Sequence, residues 1–301
     1  MKTGAFTFRA DESAKAGVLR IATALIEAAL KRARVRGGDP GADVHLFRTT
    51  SKRLRALLQL VRPVIAKPAF ARENARLKRA AARLAPFRDR AVADATLKSL
   101  RRFAAVSWLR GFASLDEKGR GSGRRETAMR QSARDFEMTR RAFQRLRICG
   151  DGWDAIGRGM IDVYAQARRR MKRAGSERSD RAFHRWRIRV KQLYYQLQWM
   201  EPAWPKRFGR MIGRLRKLEE TLGTDHDLVI LCALLEGAAP ACDHAFAMRV
   251  EKAASKRRRC LMRISEVLGA KVLRESSRRF GSRCEQHWRA WQARESPRLL
   301  C

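Results

Sequence analysis

The chain contains two copies of one pattern. His45-Leu46-Phe47-Arg48 returns as His184-Arg185-Trp186-Arg187, and Lys52, Leu54, Leu58-Gln59 and Pro63 return as Lys191, Leu193, Leu197-Gln198 and Pro202, all 139 residues further on. A second block follows in each half. Arg76, Leu77, Arg79, Leu84 and Arg88-Asp89 return as Arg214, Leu215, Lys217, Leu222 and His226-Asp227 at an offset of 138. Self-similarity of this kind restricts the fold more than local propensity does, because each copy must form the same unit and bury the same positions. The reading is a tandem duplication with a boundary near Gly150, giving halves at 1–150 and 151–301 related by a pseudo-twofold.

The unit that repeats is helical. Apolar residues recur every three or four positions through 14–35, 44–62, 70–85, 124–148, 154–173, 182–200, 206–222 and 243–268, the period of an amphipathic helix. Gly and Pro fall between these windows, at Gly37-Gly38-Asp39-Pro40, Gly119 to Gly123, Cys149 to Gly152 and Glu201-Pro202, and no run alternates like a strand. The expected architecture is all-α, with about four helices in each half: two four-helix bundles.

Other classes fall away on simple grounds. The longest apolar stretch, Leu228 to Ala239, contains Glu236 and is too short to span a bilayer. The first twelve residues hold no apolar segment of the secretory kind, so a cytoplasmic protein without membrane attachment is expected. Six cysteines, at 149, 232, 242, 260, 284 and 301, form no CxxC pair and read as reduced thiols.

Charge then narrows the partner. Lys plus Arg number 68 against 30 Asp plus Glu, a formal charge of +38, while 45% of residues are hydrophobic. A folded chain with that imbalance repels itself. A polyanion resolves the conflict: nucleic acid, polyphosphate or an anionic membrane surface.

The repeat places the charge in stripes. On the helix opened by His45, the residues His45, Arg48, Lys52, Arg55, Gln59 and Arg62 lie at offsets 0, 3, 7, 10, 14 and 17, within about 100° of the helix surface. His184, Arg187, Lys191 and Gln198 repeat it, and Tyr194 and Glu201 stand where Arg55 and Arg62 stood. The next helix adds Arg72, Arg76, Arg79 and Arg83, repeated as Arg210, Arg214 and Lys217 with Thr221 in the fourth place. Side by side, such helices would line one concave basic strip, a central channel across both halves. Arg88-Asp89 and His226-Asp227 are expected at the start of the third helix of each half, the aspartates in a structural role. Histidines among guanidinium groups should stay neutral at pH 7.

The pattern His-x-x-Arg-x-x-x-Lys-Arg-x-Arg at 45–55, its partner His-x-x-Arg-x-x-x-Lys at 184–191, and the segments Leu84-x-x-x-Arg-Asp and Leu222-Gly-x-x-His-Asp resemble the two motif pairs of the CHAD family, the conserved histidine α-helical domain. The resemblance runs from about residue 11 to about 290. It implies paired four-helix bundles around a basic channel, binding of inorganic polyphosphate, and association with polyphosphate granules. By that resemblance His45, Arg48, Lys52, Arg55, His184, Arg187 and Lys191 contact the ligand. Arg53, Arg72, Arg76, Arg79, Arg83, Arg88, Arg210, Arg214, Lys217 and His226 complete the expected set. Gln192 and Tyr194 replace Arg53 and Arg55 in the second copy, so affinity is expected to rest more on the first half. No catalytic residue, metal or cofactor is expected. Polyphosphate suits the stripes on physical grounds too: Arg forks and Lys point charges at successive turns can meet successive phosphates.

Three other readings stay open. Charge alone favours nucleic acid, at least non-specifically, and Trp108, Trp153, Trp186, Trp199, Trp204, Trp288 and Trp291 could stack on bases, although their apolar settings read as core. His226-Asp227 could belong to a metal-dependent phosphohydrolase, but Arg88-Asp89 holds the equivalent place, and no P-loop is present. An adaptor role could use Lys256-Arg257-Arg258-Arg259 with Arg274, Arg278 and Arg279 on a second polyanion; a solvated basic face is the plainer reading.

Overall fold

A computed structural model describes residues 3–33, 39–100, 121–237 and 244–295. They form ten α-helices and no strand: α1 (Ala14–Ala33), α2 (Pro40–Val61), α3 (Lys67–Arg83), α4 (Ala85–Leu100), α5 (Gly121–Gln144), α6 (Gly152–Glu177), α7 (Asp180–Met200), α8 (Pro205–Gly237), α9 (His244–Val272) and α10 (Ser277–Glu295). The all-α expectation holds. Five of these helices lie on each side of Gly150 where four are expected: the apolar windows cover neither 85–100, where only a helix start at Arg88-Asp89 is expected, nor 277–295. In α10 the apolar signal is thin but spaced correctly: Phe280, Cys284 and Trp288, four apart, are its buried apolar side chains.

Local chemistry sets the helix starts. Asp39 caps α2 by accepting from the Gly41 N–H at 2.8 Å, with Pro40 in the first turn. Ser179 caps α7 by accepting from the Ala182 N–H at 3.3 Å. Asp151 Oδ1 accepts from the N–H of Gly152 at 2.7 Å and of Ala14 at 2.5 Å, so one carboxylate caps α6 and ties α1 to it.

The two stretches that share the repeated residues differ in helix course at one place, and the cause is a single residue. α3 stops at Arg83 and α4 begins at Ala85, whereas α8 runs unbroken through the matching positions. Pro86 stands in the first turn of α4, and its counterpart is Thr224. A proline there has no N–H to give the carbonyl one turn earlier, and it disfavours helical geometry in the residue before it. Arg88 therefore does lie in the first turn of a helix, with Asp89 next to it. His226 and Asp227 lie inside α8, not at a helix start as expected from sequence, so the charge of a helix end is absent around Asp227.

α2 and α7 form the centre. The repeated apolar positions are all buried: Leu54 and Leu193, Leu58 and Leu197, Leu77 and Leu215, Leu84 and Leu222, Phe47 and Trp186. Phe47 stacks on Phe136 of α5 with ring centroids 5.0 Å apart. Trp186 lies against Gly269 of α9, where a Cβ would come within 2.5 Å of the indole. One apolar cluster joins Phe8, Leu54 and Leu60 to Ile156, Tyr195 and Trp199 across the position of Gly150. Gln196 Nε2 donates to the Ala56 carbonyl at 3.1 Å, and the Phe8 N–H donates to the Trp199 carbonyl at 2.8 Å. A second cluster packs Ala93, Leu97 and Leu100 of α4 onto Leu228, Leu231 and Leu235 of α8 and Phe246 and Val250 of α9. α4 thus belongs to the first half in sequence and packs with the second.

Trp153, Trp186, Trp199 and Trp288 are buried and Trp204 and Trp291 partly so. Trp108, Cys242 and Cys301 lie outside the described residues. The other four cysteines are free thiols.

Candidate functional site

The four helices α2, α4, α7 and α8 aim polar residues at one place. α2 supplies His45, Arg48 and Lys52, α4 supplies Arg88 and Asp89, α7 supplies His184, Arg187 and Lys191, and α8 supplies Glu219, His226 and Asp227. The His184 and His226 rings meet edge to face with centroids 4.5 Å apart. Arg88 spans α4 and α8, with Nη1 3.6 Å from Asp89 Oδ1 and Nη2 3.6 Å from Asp227 Oδ1. Glu219 Oε1 accepts from Lys191 Nζ at 2.7 Å and lies 3.4 Å from Arg187 Nη2. Arg48 Nη1 donates to the Ala81 carbonyl at 2.6 Å. The Nε atoms of Arg48 and Arg187 are buried without a protein acceptor.

The crowding of cations shows in their acidities. Lys52 is pushed down to about 7, first by burial and then by Lys191, Arg187, Arg48 and Arg88. Burial also lowers Arg48, helped by Arg88 and Arg187 and opposed by Asp89. Burial lowers Lys191 too, against the pull of Glu219. Burial by itself would raise Glu219, but Lys191, Arg187 and Lys52 hold its carboxyl below the usual range.

The histidines are neutral at pH 7, as expected, but burial outranks neighbouring charge as the cause. His226 falls to about 4 through burial, then Arg187, Arg88 and Lys52. His184 falls to about 4 through burial, then His226, Arg187 and Lys52. His45 is lowered by burial and then by Arg88, Lys52, Lys191 and Arg48. His45 and His184 still reach solvent while His226 is more enclosed, so solvent screens the first two and the hold on the neutral form is strongest at His226.

Eight of the residues expected from sequence therefore come together: His45, Arg48, Lys52, Arg88, His184, Arg187, Lys191 and His226. The others do not join them. Arg53 turns aside onto Tyr195 and Phe6, its guanidinium 5.2 and 6.0 Å from their ring centroids. Arg55 Nε donates to Asn74 Oδ1 at 2.9 Å. Arg55 belongs with Arg62, Arg170 and Arg189, and Arg189 is pushed down to about 10 by burial and then by Arg170, Arg62 and Arg55; Arg170 and Arg189 lie outside the sequence motif.

The second pair of stripes does not line a common strip with the first. Arg72 and Arg76 pair with the buried Glu73 at 3.1 and 2.5 Å and border a separate cleft of about 940 Å³ between α3 and α5. Arg83 pairs with Asp135 of α5, and Arg79 is exposed. Arg214 borders an outer cavity of about 540 Å³ with Lys271, Arg274 and Arg279, while Arg210 and Lys217 face solvent. The reason is the helix period. Phe208, Met211, Leu215, Leu218 and Leu222 take the inner face of α8. Glu219 and His226 border that face, and Arg210 and Lys217 lie about 160–180° from Glu219.

Sequence reasoning missed Glu219, whose signal was an acidic residue bordering the apolar stripe of α8. It also missed the bridge from Arg88 to Asp227, which only the placement of α4 on α8 creates. No group of three or more His, Cys, Asp or Glu among the described residues could hold a metal ion.

Residues 20–236 match the family described as the CHAD domain. Among solved structures the chain is similar to the crystal structure of the CHAD domain from the plant Ricinus communis, with 19% identity, a TM-score of 0.60 and coverage of 97% of this chain and 96% of that one. At that identity the likeness concerns the fold. A search of curated proteins finds no match. With a family match spanning well over half of its length, and two histidine-led basic helices side by side at the heart of an all-helical fold, this chain belongs to the CHAD domain family.

Proposed function

We propose that the central cluster binds inorganic polyphosphate, and that the chain is a binding module that takes the protein to polyphosphate granules and is not an enzyme. The observation that carries this reading is the convergence of five Lys and Arg side chains and three histidines from both halves onto one place, with Glu219, Asp89 and Asp227 to offset them among the described residues. Lys52 and Arg48 make no ion pair there among the described residues, and a phosphate oxygen is the acceptor that the buried Nε atoms of Arg48 and Arg187 lack. The family match agrees with this reading.

The contacts of Asp227 with Arg88 and of His226 with His184 favour binding over the phosphohydrolase reading. Four of the seven tryptophans, Trp153, Trp186, Trp199 and Trp288, lie in the core and are closed to base stacking. Non-specific attraction of nucleic acid is still expected from a charge of +38. No helix among the described residues is long and apolar enough to cross a membrane.

A competition titration tests the proposal. Labelled long-chain polyphosphate bound to the protein is challenged with double-stranded DNA, RNA and short phosphates over a range of salt. Polyphosphate is expected to win by a margin that survives physiological salt. Equal competition per charge by nucleic acid would remove the reading.

Binding is also expected to take up protons. In the free protein Lys52 titrates at about 7 against 10.5 in an open chain, and His184 and His226 at about 4 against 6.5. These folded values are depressed, so folding is favoured above the open-chain values and loses that support as pH falls, between 10.5 and 7 for Lys52 and between 6.5 and 4 for the histidines. A bound polyanion favours the protonated forms, so affinity rises as pH falls from 8.5 through the Lys52 value of about 7. Calorimetry in two buffers of different ionisation enthalpy should show net uptake near pH 7.5. Proton release, or affinity that grows with pH, would contradict the geometry.

A further inference from the structure

Resting on the polyphosphate reading, we infer that Glu219 is a built-in counter-ion that occupies the second half of the site and sets the shortest phosphate chain the protein can hold. Its carboxylate sits where a ligand phosphate would, 2.7 Å from Lys191 Nζ and 3.4 Å from Arg187 Nη2. The contact is sheltered. The side chains of Glu219, Lys191 and Arg187 are 16%, 20% and 13% exposed, so it is not the solvent-screened kind of surface pair.

The repeat supplies the internal control. Arg187 and Lys191 correspond to Arg48 and Lys52, and Glu219 corresponds to Ala81. Arg48 reaches the same place and finds only the Ala81 carbonyl, at 2.6 Å. The first-half cations are therefore open, and their second-half partners are already paired. An anion enters at Arg48 and Lys52 without competition. To reach Arg187 and Lys191 it must displace Glu219, which leaves a carboxylate among cations it no longer touches and beside an incoming anion. That cost is the same for every ligand, whereas favourable contacts accumulate with chain length. Short phosphates fall below useful affinity and long chains do not.

Glu219 is thus a specificity residue, and the sign of its effect separates this role from one of holding Lys191 and Arg187 ready for ligand. Tripolyphosphate and long-chain polyphosphate are titrated onto the wild type, Glu219→Gln and Ala81→Glu over a salt series. Glu219→Gln should bind both ligands on the order of tenfold more tightly, bring tripolyphosphate into measurable range, and steepen the salt dependence by about one to two released counterions. Its free form should melt earlier, because two sheltered cations lose their partner, and ligand should restore the melting temperature. Ala81→Glu should act in the opposite direction, weakening both ligands and flattening the salt dependence. If Glu219→Gln does not fold, Ala81→Glu decides alone. Unchanged or weaker binding by folded Glu219→Gln, or unchanged or tighter binding by Ala81→Glu, overturns the inference. Failure of the wild type to bind long-chain polyphosphate removes the underlying functional reading instead.

Discussion

Replacing Arg48 and Lys52 together with glutamate should abolish binding of long-chain polyphosphate while leaving the helices intact. Each residue offers a charge-assisted bond to phosphate, worth about 1.5–3 kcal/mol. Losing both costs on the order of a thousandfold in affinity before the repulsion of two new carboxylates is added. Stability should not fall with it. Lys52 stands among Lys191, Arg187, Arg48 and Arg88, and a carboxylate there relieves like-charge repulsion. Circular dichroism should be unchanged and the melting temperature level or higher. The control must be chosen from the structure. Arg258 looks like free surface charge in the sequence, yet it pairs with Asp225 at 2.9 Å and with Asp180. Lys256 and Arg259 are exposed and serve better. Reversing those two should change affinity little. Equal losses from the two double variants would mean that diffuse charge holds the ligand.

Gly159→Ala should have the largest effect on the fold. A Cβ at Gly159 would stand 1.8 Å from the Leu60 carbonyl oxygen and 2.5 Å from its carbon, so α6 crosses α2 backbone on backbone. Neither atom belongs to a side chain that could turn away. The helices must separate, and forced overpacking of this kind costs about 3 kcal/mol. The better helix propensity of alanine returns about 1 kcal/mol. The net loss should lower the melting temperature by roughly 5 °C. Gly213 provides the contrast, since nothing lies within 4 Å of a Cβ placed there. Gly213→Ala should stabilise the chain by up to about 1 kcal/mol through propensity alone. Two variants that shift stability equally and in the same direction would refute the crossing as the cause. A displaced α2 would also displace Arg48 and Lys52, so Gly159→Ala should weaken polyphosphate binding even where it still folds.

Periodicity and repetition made much of this legible without coordinates. Residues that return at a fixed offset must serve the same unit, and His45, Arg48 and Lys52 with His184, Arg187 and Lys191 do meet. The break between α3 and α4 was also written in the chain, as Pro86 against Thr224. α10 was present as a spacing of four between Phe280, Cys284 and Trp288, too sparse beside its many arginines to stand out.

What the chain alone determined is which residues share one face of one helix, because the turn angle of a helix is fixed by its backbone. That gave the all-α class, the buried positions and the cationic stripe on α2 and α7. Which faces meet is a different question, decided by how apolar surfaces from distant segments close over one another. Only the tertiary structure turned the arginines of α3 and α8 away from the central cluster, since the leucines beside them had to face inward. Only it laid α4 on α8 and so joined Arg88 to Asp227. It also set Glu219 against Lys191 and Arg187, and that one carboxylate makes two nearly identical halves of a basic site unequal.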